Sequence, residues 1–492
     1  MRIIILLLAA SILLNGCGQE ATEQERIKDF YLVENIEFPE GLMPEVGGMD
    51  FLPNGKLVVV FHRGEVMFYD PEQDSWELFA EGLHDPLGVR AMSNQELVVM
   101  QRPELTRLVD TDNDQQADQY ITITDDFGMS GNYHEFAFGP TIDQEGNFFI
   151  SLNCASSGDG IWEEVRGDFN PLGRPGRMYS CVPYRGWVLK VDQNTGAVTP
   201  WALGFRSPDG ITFDGNGNLF VTDNQGDWLG TSKLFHVERD KFYGHVSSLV
   251  WKPGWDQDPL QMPVDTLDEL RETAAVLFPH NLMANSPTEP ILIPDQVNFG
   301  PFKGQMLVGE MNAPRLMRIM LEEVKGKMQG ACVTFLDSAV VTNGNHRLVF
   351  GPQGDLWIGS TAYVWAGNKG IQRIRFQGGT PMDIQEINVQ PDGFKLQFTR
   401  PVDPELAKNL NNYSVRKYYY KYHRKYGSPR IDEQEVGVNK VQVAADGNSL
   451  ELQLNEMTPG YVYDITLDSL NSDNGIYLKN NRVFYTLNQV PD

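Results

Sequence analysis

The chain has 492 residues and a formal net charge of −26, so it lacks the basic footprint that nucleic acid or an anionic lipid surface requires of a partner. Its length exceeds one ordinary domain and predicts two, one of them large. The four cysteines match neither zinc-ligand spacing nor a CxxCH haem attachment, so any electrons that move here leave through another group.

The first residues, "MRIIILLLAASILLNGCGQE", carry one Arg and then an apolar run too short to span a bilayer comfortably, which marks residues 1–16 as a secretory signal. The "LLNGC" ending resembles the lipobox of bacterial lipoproteins and would make Cys17 the lipidated first residue of the mature chain; an ordinary cleavage nearby is the other reading. Residues 17–35 are polar and lack a core-forming pattern, so they read as a flexible tether. The expectation is an exported protein, lipid-anchored to the bacterial envelope at the outer membrane, with acidic residues after Cys17 that look like a surface-export signal. Under oxidising conditions Cys154 and Cys181, which flank a Gly/Pro-rich insertion, are candidates for a disulfide. Cys332 then stays a single buried thiol.

Residues 36–380 contain six segments of one shape: "GGMDFLPNGKLVVVFHRGEVMFYD", "PLGVRAMSNQELVVMQRPELTRLVD", "HEFAFGPTIDQEGNFFISLN", "PDGITFDGNGNLFVTDNQGDW", "NFGPFKGQMLVGEMNAPRLMRIML" and "HRLVFGPQGDLWIGS". Each gives a short apolar strand, a polar turn, a second apolar strand, a polar loop and a third strand. In the first three a fourth strand follows an Asp-led turn. Repetition of four-stranded antiparallel units predicts an all-β fold, a six-bladed β-propeller. The helix-like "DTLDELRETAAVLF" is expected in an insertion between the fourth and fifth units. From Pro381 to Asp492 alternating strands predict a C-terminal immunoglobulin-like β-sandwich domain. Within it the basic, Tyr-rich "VRKYYYKYHRKYGSPR" reads as a solvated hairpin, with a carbohydrate-stacking surface as the alternative.

In a propeller, residues just before the first strand of each blade and just after the second converge on one mouth. That rule gathers His134, Arg206, Asp209, His346 and Arg347 with His62, Arg63, Arg102, Asn153, Asp223, Asn224, Gln225, Glu310 and Asn312. Polar mouths also serve to cap exposed backbone. Converging guanidinium groups nevertheless suit a ligand rich in carboxylates or hydroxyls, and His134 and His346 are candidate proton acceptors.

At "LGFRSPDGITFDGNGNLFVTDNQGDW", with "NYHEFAFGP", "PHNLMANSPTEP" and "HRLVFGPQGDLWIGS", the chain resembles the glucose/sorbosone dehydrogenase superfamily, whose six-bladed propellers include pyrroloquinoline quinone (PQQ)-dependent sugar dehydrogenases. The resemblance covers roughly residues 38–377. It implies His134 as the base that takes the sugar hydroxyl proton while hydride passes to the quinone, with Arg206, Asp209 and His346 beside it. It also implies a cofactor contact from Arg206 and calcium at Asp223, Gln225, Gly226 and Asp227, and the mouth could supply further PQQ contacts from His62, Arg63, Arg102, Asn224, Gln225, Asn312 and Arg347. The chain reads "RSPDG" and "DNQGD" where the soluble glucose dehydrogenases read "RNPQG" and a Glu- or Gln-Gly-Pro turn. A separate string, "DTDNDQQAD", spaces Asp110, Asp112, Asp114 and Asp118 like the start of a calcium loop without its Gly and final Glu; a structural calcium and an unliganded turn both fit.

The expected function is therefore a membrane-anchored, carbohydrate-active propeller, first a PQQ-dependent sugar dehydrogenase-like oxidoreductase that passes electrons to an external acceptor. Two alternatives keep the same mouth: a non-redox lyase or hydrolase in which His134 or His346 exchanges protons with Tyr133, and a non-catalytic glycan-binding module.

Overall fold

A computed structural model describes residues 29–157, 165–174, 176–363 and 367–492. The signal segment and Cys17 lie outside the described residues. Among those described, no helix is long and apolar enough to cross a membrane.

Six blades of four antiparallel strands form the propeller, five as separate sheets and one within an eight-stranded sheet. Blade 1 runs through Val46–Phe51, Leu57–Phe61, Val66–Asp70 and Ser75–Ala80, and blade 2 through Gly88–Ala91, Glu96–Met100, Leu105–Val109 and Gln119–Thr124. Blade 3 comprises Ala137–Ile142, Phe148–Leu152, Trp187–Val191 and Val198–Leu203; blade 4 comprises Pro208–Phe213, Leu219–Asp223, Ser232–Val237 and Val276–Phe278. Blade 5 is Pro287–Leu292, Met306–Glu310, Leu316–Val324 and Lys327–Leu336. The second strands are buried end to end, as in "LVVVF" and "FFISL", because neighbouring blades cover both faces; the outermost strand of blade 2 is mostly exposed, having solvent on one side.

The circle closes by borrowing. Blade 6 takes three strands from Asn345–Phe350, Leu356–Ser360 and Gly370–Phe376, and its fourth is Tyr31–Asn35, paired from Tyr31↔Phe376 to Asn35↔Gln372. Residues 31–35 were expected in the tether, and here they are the strand that joins the chain's two ends. The first strands of the six blades contact one another in sequence, the last against the first. Glycine makes that convergence feasible: a Cβ on Gly88 would sit 1.7 Å from the Gly139 carbonyl oxygen.

The helix Val264–Leu270 differs from expectation in position. It lies inside blade 4, and "VLF" at its end is that blade's outermost strand, an apolar triplet hydrogen-bonded to Ser232–Leu234. The disulfide does not form either. Cys154, Cys181 and Cys332 are free and buried, and the Cys154 thiol is turned to the Phe205 carbonyl at 3.3 Å and the Ser247 hydroxyl at 3.4 Å.

Residues 384–487 build a two-sheet sandwich around Phe394, Leu396, Leu452, Ile465 and Tyr485. It is not a detached module. Strand Arg482–Leu487 pairs with the outer strand of blade 5 through Gly330↔Thr486 and Cys332↔Phe484, so one sheet of the sandwich is continuous with that blade. Its core takes in Met320, Val324 and Val333 of blade 5. The Tyr-rich stretch is also docked: strand His423–Tyr426 pairs with Asp227–Trp228 at the propeller mouth, Gly427 N–H donates to the Gly226 carbonyl, and Tyr422 Oη donates to the Gly244 carbonyl at 2.6 Å. The hairpin expected to be solvated forms part of the mouth, because Trp228 and Tyr422 bury each other's rings there.

Candidate functional site

A cavity of about 180 Å³ opens at the mouth, lined by His62, Tyr133, His134, Asn153, Arg177, Arg206, Ser207, Asp209, Asn224, Gln225, His346, Tyr363 and Tyr426 among others. Eight of the expected residues therefore meet: His62, His134, Asn153, Arg206, Asp209, Asn224, Gln225 and His346.

His134 is the best base among them. Its Nδ1 lies 2.8 Å from the Cys154 carbonyl oxygen, which can only accept, so in the neutral ring the proton sits on Nδ1 and the lone pair on Nε2. Burial, then the positive charges of Arg206, Arg102 and Arg177, push its pKa down to about 3. The ring is thus neutral, with Nε2 unprotonated, at any ordinary working pH; an anionic ligand that offsets the arginine charges would raise its basicity.

Arg206 is only 6% exposed, yet its guanidinium has no hydrogen-bond partner among the described residues: Nε is unpaired, and the nearest carboxylate oxygen, Asp227 Oδ1, is 4.0 Å away. A buried cation left in this state costs stability. Its place is nonetheless built in. Asp223 accepts the Arg206 and Ser207 backbone N–H groups at 2.9 and 2.7 Å, and position 226 must be glycine because a Cβ there would lie 2.1 Å from Arg206 Nε.

His62 shows the same unfinished pattern. Nδ1 is 2.7 Å from Asp85 Oδ1, Nε2 is buried and unpaired, and the ring stacks on Tyr363 with centroids 4.5 Å apart. Burial raises the Asp85 carboxyl, but His62 and Arg102 outweigh it and hold the pKa below its ordinary value. Asn153 Oδ1 and Asn224 Oδ1 are buried without partners as well.

Other expected residues are committed elsewhere. Arg63 stands exposed on the turn after the second strand of blade 1. Arg102 forks onto Asp85 Oδ2 at 3.2 and 2.6 Å and donates to the Tyr133 carbonyl at 2.6 Å. Arg347 lies under the cavity in the axial channel, donating to the carbonyls of Gly47, Leu87, His346 and Asp209. His346 has both nitrogens engaged, Nδ1 at 3.0 Å from the Val46 carbonyl and Nε2 at 3.2 Å from Asp209 Oδ1, so it is no free proton acceptor. Burial raises the Asp209 carboxyl, while His346 and Arg347 outweigh it and hold it ionised. Glu310 accepts the N–H groups of Asn285, Ser286 and Asn312, so Asn312 lies on a capped turn rather than along the cavity.

The calcium ligands expected at the mouth are mostly spent. Both Asp223 oxygens accept backbone N–H groups, the Gly226 carbonyl accepts Gly427 N–H, Gln225 Nε2 meets His280 Nε2 at 3.2 Å, and Asp227 Oδ2 accepts Met178 N–H and faces His245. Among the described residues, Gln225 Oε1 and Asp227 Oδ1 accept no hydrogen bond, and Asp227 Oδ1 faces Arg206 at 4.0 Å. Of the expected quinone contacts, His62, Arg206, Asn224 and Gln225 line the cavity, while Arg63, Arg102, Arg347 and Asn312 do not. In the Asp-rich turn, oxygens of Asp110, Asp112 and Asp118 lie within 4.8 Å of one another while Asp114 stands apart; each already accepts a backbone N–H within the turn.

Sequence reasoning missed Arg177, Tyr363 and Tyr426. Arg177 hides in the Gly/Pro-rich insertion, and Tyr426 in a hairpin whose docking no local pattern announces.

Residues 30–248 match a family model described as a domain of unknown function, DUF7133. No curated protein matches the chain. Among solved structures it is similar to an oxidoreductase (glucose dehydrogenase) from Thermus thermophilus, at 15% identity and TM-score 0.49, over 70% of this chain and 100% of that one. It is also similar to the PQQ domain of a pyranose dehydrogenase from Coprinopsis cinerea, at 13% identity and TM-score 0.48, over 72% and 98% of the two chains. A PQQ-bound aldose sugar dehydrogenase from Streptomyces coelicolor follows, at 13% identity and TM-score 0.44, over 70% and 98%. At such values the likeness extends to the propeller fold and no further.

Proposed function

We propose that the protein is a carbohydrate-active enzyme that oxidises a sugar bound in the propeller mouth, with His134 as general base. One observation carries the reading: a neutral imidazole with its lone pair on Nε2 shares a cavity with a buried guanidinium that has no hydrogen-bond partner among the described residues. Arg206 binds sugar oxygens, and Asn153 and Asn224 offer free amide oxygens to hydroxyl donors. His134 takes the hydroxyl proton as the carbinol carbon gives up hydride, leaving a carbonyl. The hydride passes whole, with both electrons, to a hydride-accepting co-substrate of the quinone or dye class, which supplies the oxidant.

The His62–Asp85 pair favours a second reading. Asp85 holds the His62 Nδ1 proton, so His62 Nε2 is a second basic nitrogen in the cavity, and two such groups can remove and return a proton with no electron acceptor. That is the chemistry of a lyase or an isomerase.

Dye-linked assays across a panel of neutral and acidic sugars, with and without added quinone and calcium, separate the two. Sugar-dependent dye reduction supports oxidation, and it should persist without either addition. An unsaturated or isomerised sugar formed with no acceptor present supports the second reading. If no sugar is changed under any condition, the enzymatic reading fails and the glycan-binding alternative remains.

A further inference from the structure

We propose that the sandwich domain completes this site by placing Tyr426 as a spacer between two arginines, and that the resulting subsite selects sugars bearing a carboxylate. This rests on the sugar-binding reading above and specifies its substrate class. Three elements distant in sequence meet at the rim. The blade 3 insertion brings Arg177, whose guanidinium carbon lies 4.9 Å from the Tyr426 ring centroid. Blade 4 brings Arg206, at 5.6 Å from the same centroid. The sandwich brings the ring itself, on the strand hydrogen-bonded to Asp227–Trp228.

All three residues line the cavity. Arg206 is buried with its Nε free of hydrogen bonds and only a loose 4.0 Å ion pair to Asp227, while Arg177 is exposed and its only described side-chain contact is the tyrosine ring. Two like charges sharing one ring repel each other unless something negative sits between them. Asp227 serves only in part: its Oδ1 stands 4.0 Å from Arg206 Nε, its Oδ2 holds Met178 N–H and faces His245, and Arg177 has no ion pair among the described residues. The electron-rich face of Tyr426 offsets part of that repulsion, and a ligand carboxylate would supply the rest through charge-assisted hydrogen bonds. A neutral sugar leaves the pair as it is. In a chain of net charge −26, such a concentration of cations at a cavity rim runs against the general field, which argues for an anionic ligand at this point.

The docking follows the same logic. Tyr426 is 49% exposed, so it is not there to fill the core; its strand is fixed by Gly427 and Ser428 N–H donating to the Gly226 and Gly230 carbonyls and by Arg424 donating to the Leu260 carbonyl. Tyr426 is a positioning residue, acting through the two arginines.

The test is equilibrium binding of D-galacturonate and D-galactose to the full chain and to the variants Tyr426→Phe, Tyr426→Leu and Arg177→Gln. The expected result is uronate binding about tenfold tighter than the neutral sugar, weakened by salt, with the neutral sugar insensitive to salt. Tyr426→Leu and Arg177→Gln each lower the uronate-to-galactose affinity ratio about fivefold or more, while Tyr426→Phe, which keeps the ring face, stays within about twofold of the parent. Arg177 is exposed on a loop, so its substitution tests the subsite even if Tyr426→Leu loosens the hairpin. Equal affinity for the two sugars overturns the subsite and leaves the sugar reading standing; binding of neither overturns both.

Discussion

The axial channel and the mouth wall use the same residue types a short distance apart and treat them in opposite ways. In the channel, Arg347, Asp209 and His346 satisfy one another and the carbonyls of three blades. On the wall, Arg206, His62 and His134 keep nitrogen valences that no protein atom fills. A buried charge that is fully bonded fastens blades together, whereas one held in place by its backbone but left unbonded is set for a ligand. Unfilled buried nitrogens also occur away from the mouth, on Lys233, Arg185 and Arg318 among others, so it is the unfilled valence together with the cavity that marks a site.

The comparison breaks most visibly if the wall residues prove structural. His134→Gln should lower turnover by about 10² to 10⁴ with the melting temperature little changed; a stability loss matching the activity loss would place His134 with the scaffold. Asp209→Ala should cost about 3–5 kcal/mol in denaturant unfolding, because Arg347 is left as an uncompensated buried charge and His346 Nε2 loses its partner. Arg206→Gln should do the reverse, leaving stability equal or higher by about 1 kcal/mol while sugar affinity falls. In the Asp-rich turn, Asp112→Asn should change stability by less than about 0.5 kcal/mol and leave activity alone, since Asp112 is exposed and its turn is closed by its own hydrogen bonds.

The pH dependence sharpens the same contrast. The His134 pKa falls to about 3 in the folded chain from about 6.5 unfolded. Between those values the unfolded chain binds one more proton, so this group makes stability decline as pH drops through that window. As base, however, His134 stays competent throughout it. The rate should show no acid limb near the ordinary histidine pKa; a limb there that survives in His134→Gln would belong to another group.

Much of the fold was legible because each blade announces itself locally. "GITFDGNGNLFVTD" is strand, turn and strand within fourteen residues, and blade geometry alone brought His134, Arg206, His62 and Asn224 to one mouth. What stayed hidden depends on partners far along the chain. Nothing near Arg347 shows that its guanidinium will meet carbonyls 300 and 260 positions away, and nothing near Asp223 shows that its oxygens will be taken by backbone N–H groups 17 and 16 positions back. The sixth blade lacked a fourth strand in its own segment, since that strand is supplied by residues 31–35. Tyr426 was unreadable for a similar reason: a Tyr- and Lys-rich hairpin looks solvated until its strand finds an edge at Asp227.

The most direct measurement is a crystal structure of the protein with a hexuronate at the mouth. A sugar oxygen within hydrogen-bonding distance of the Arg206 guanidinium, and a hydroxyl-bearing carbon facing His134 Nε2, is the predicted result. A sugar bound away from both, with Arg206 folded onto Asp227, would contradict the assignment of the unfilled valences to a ligand.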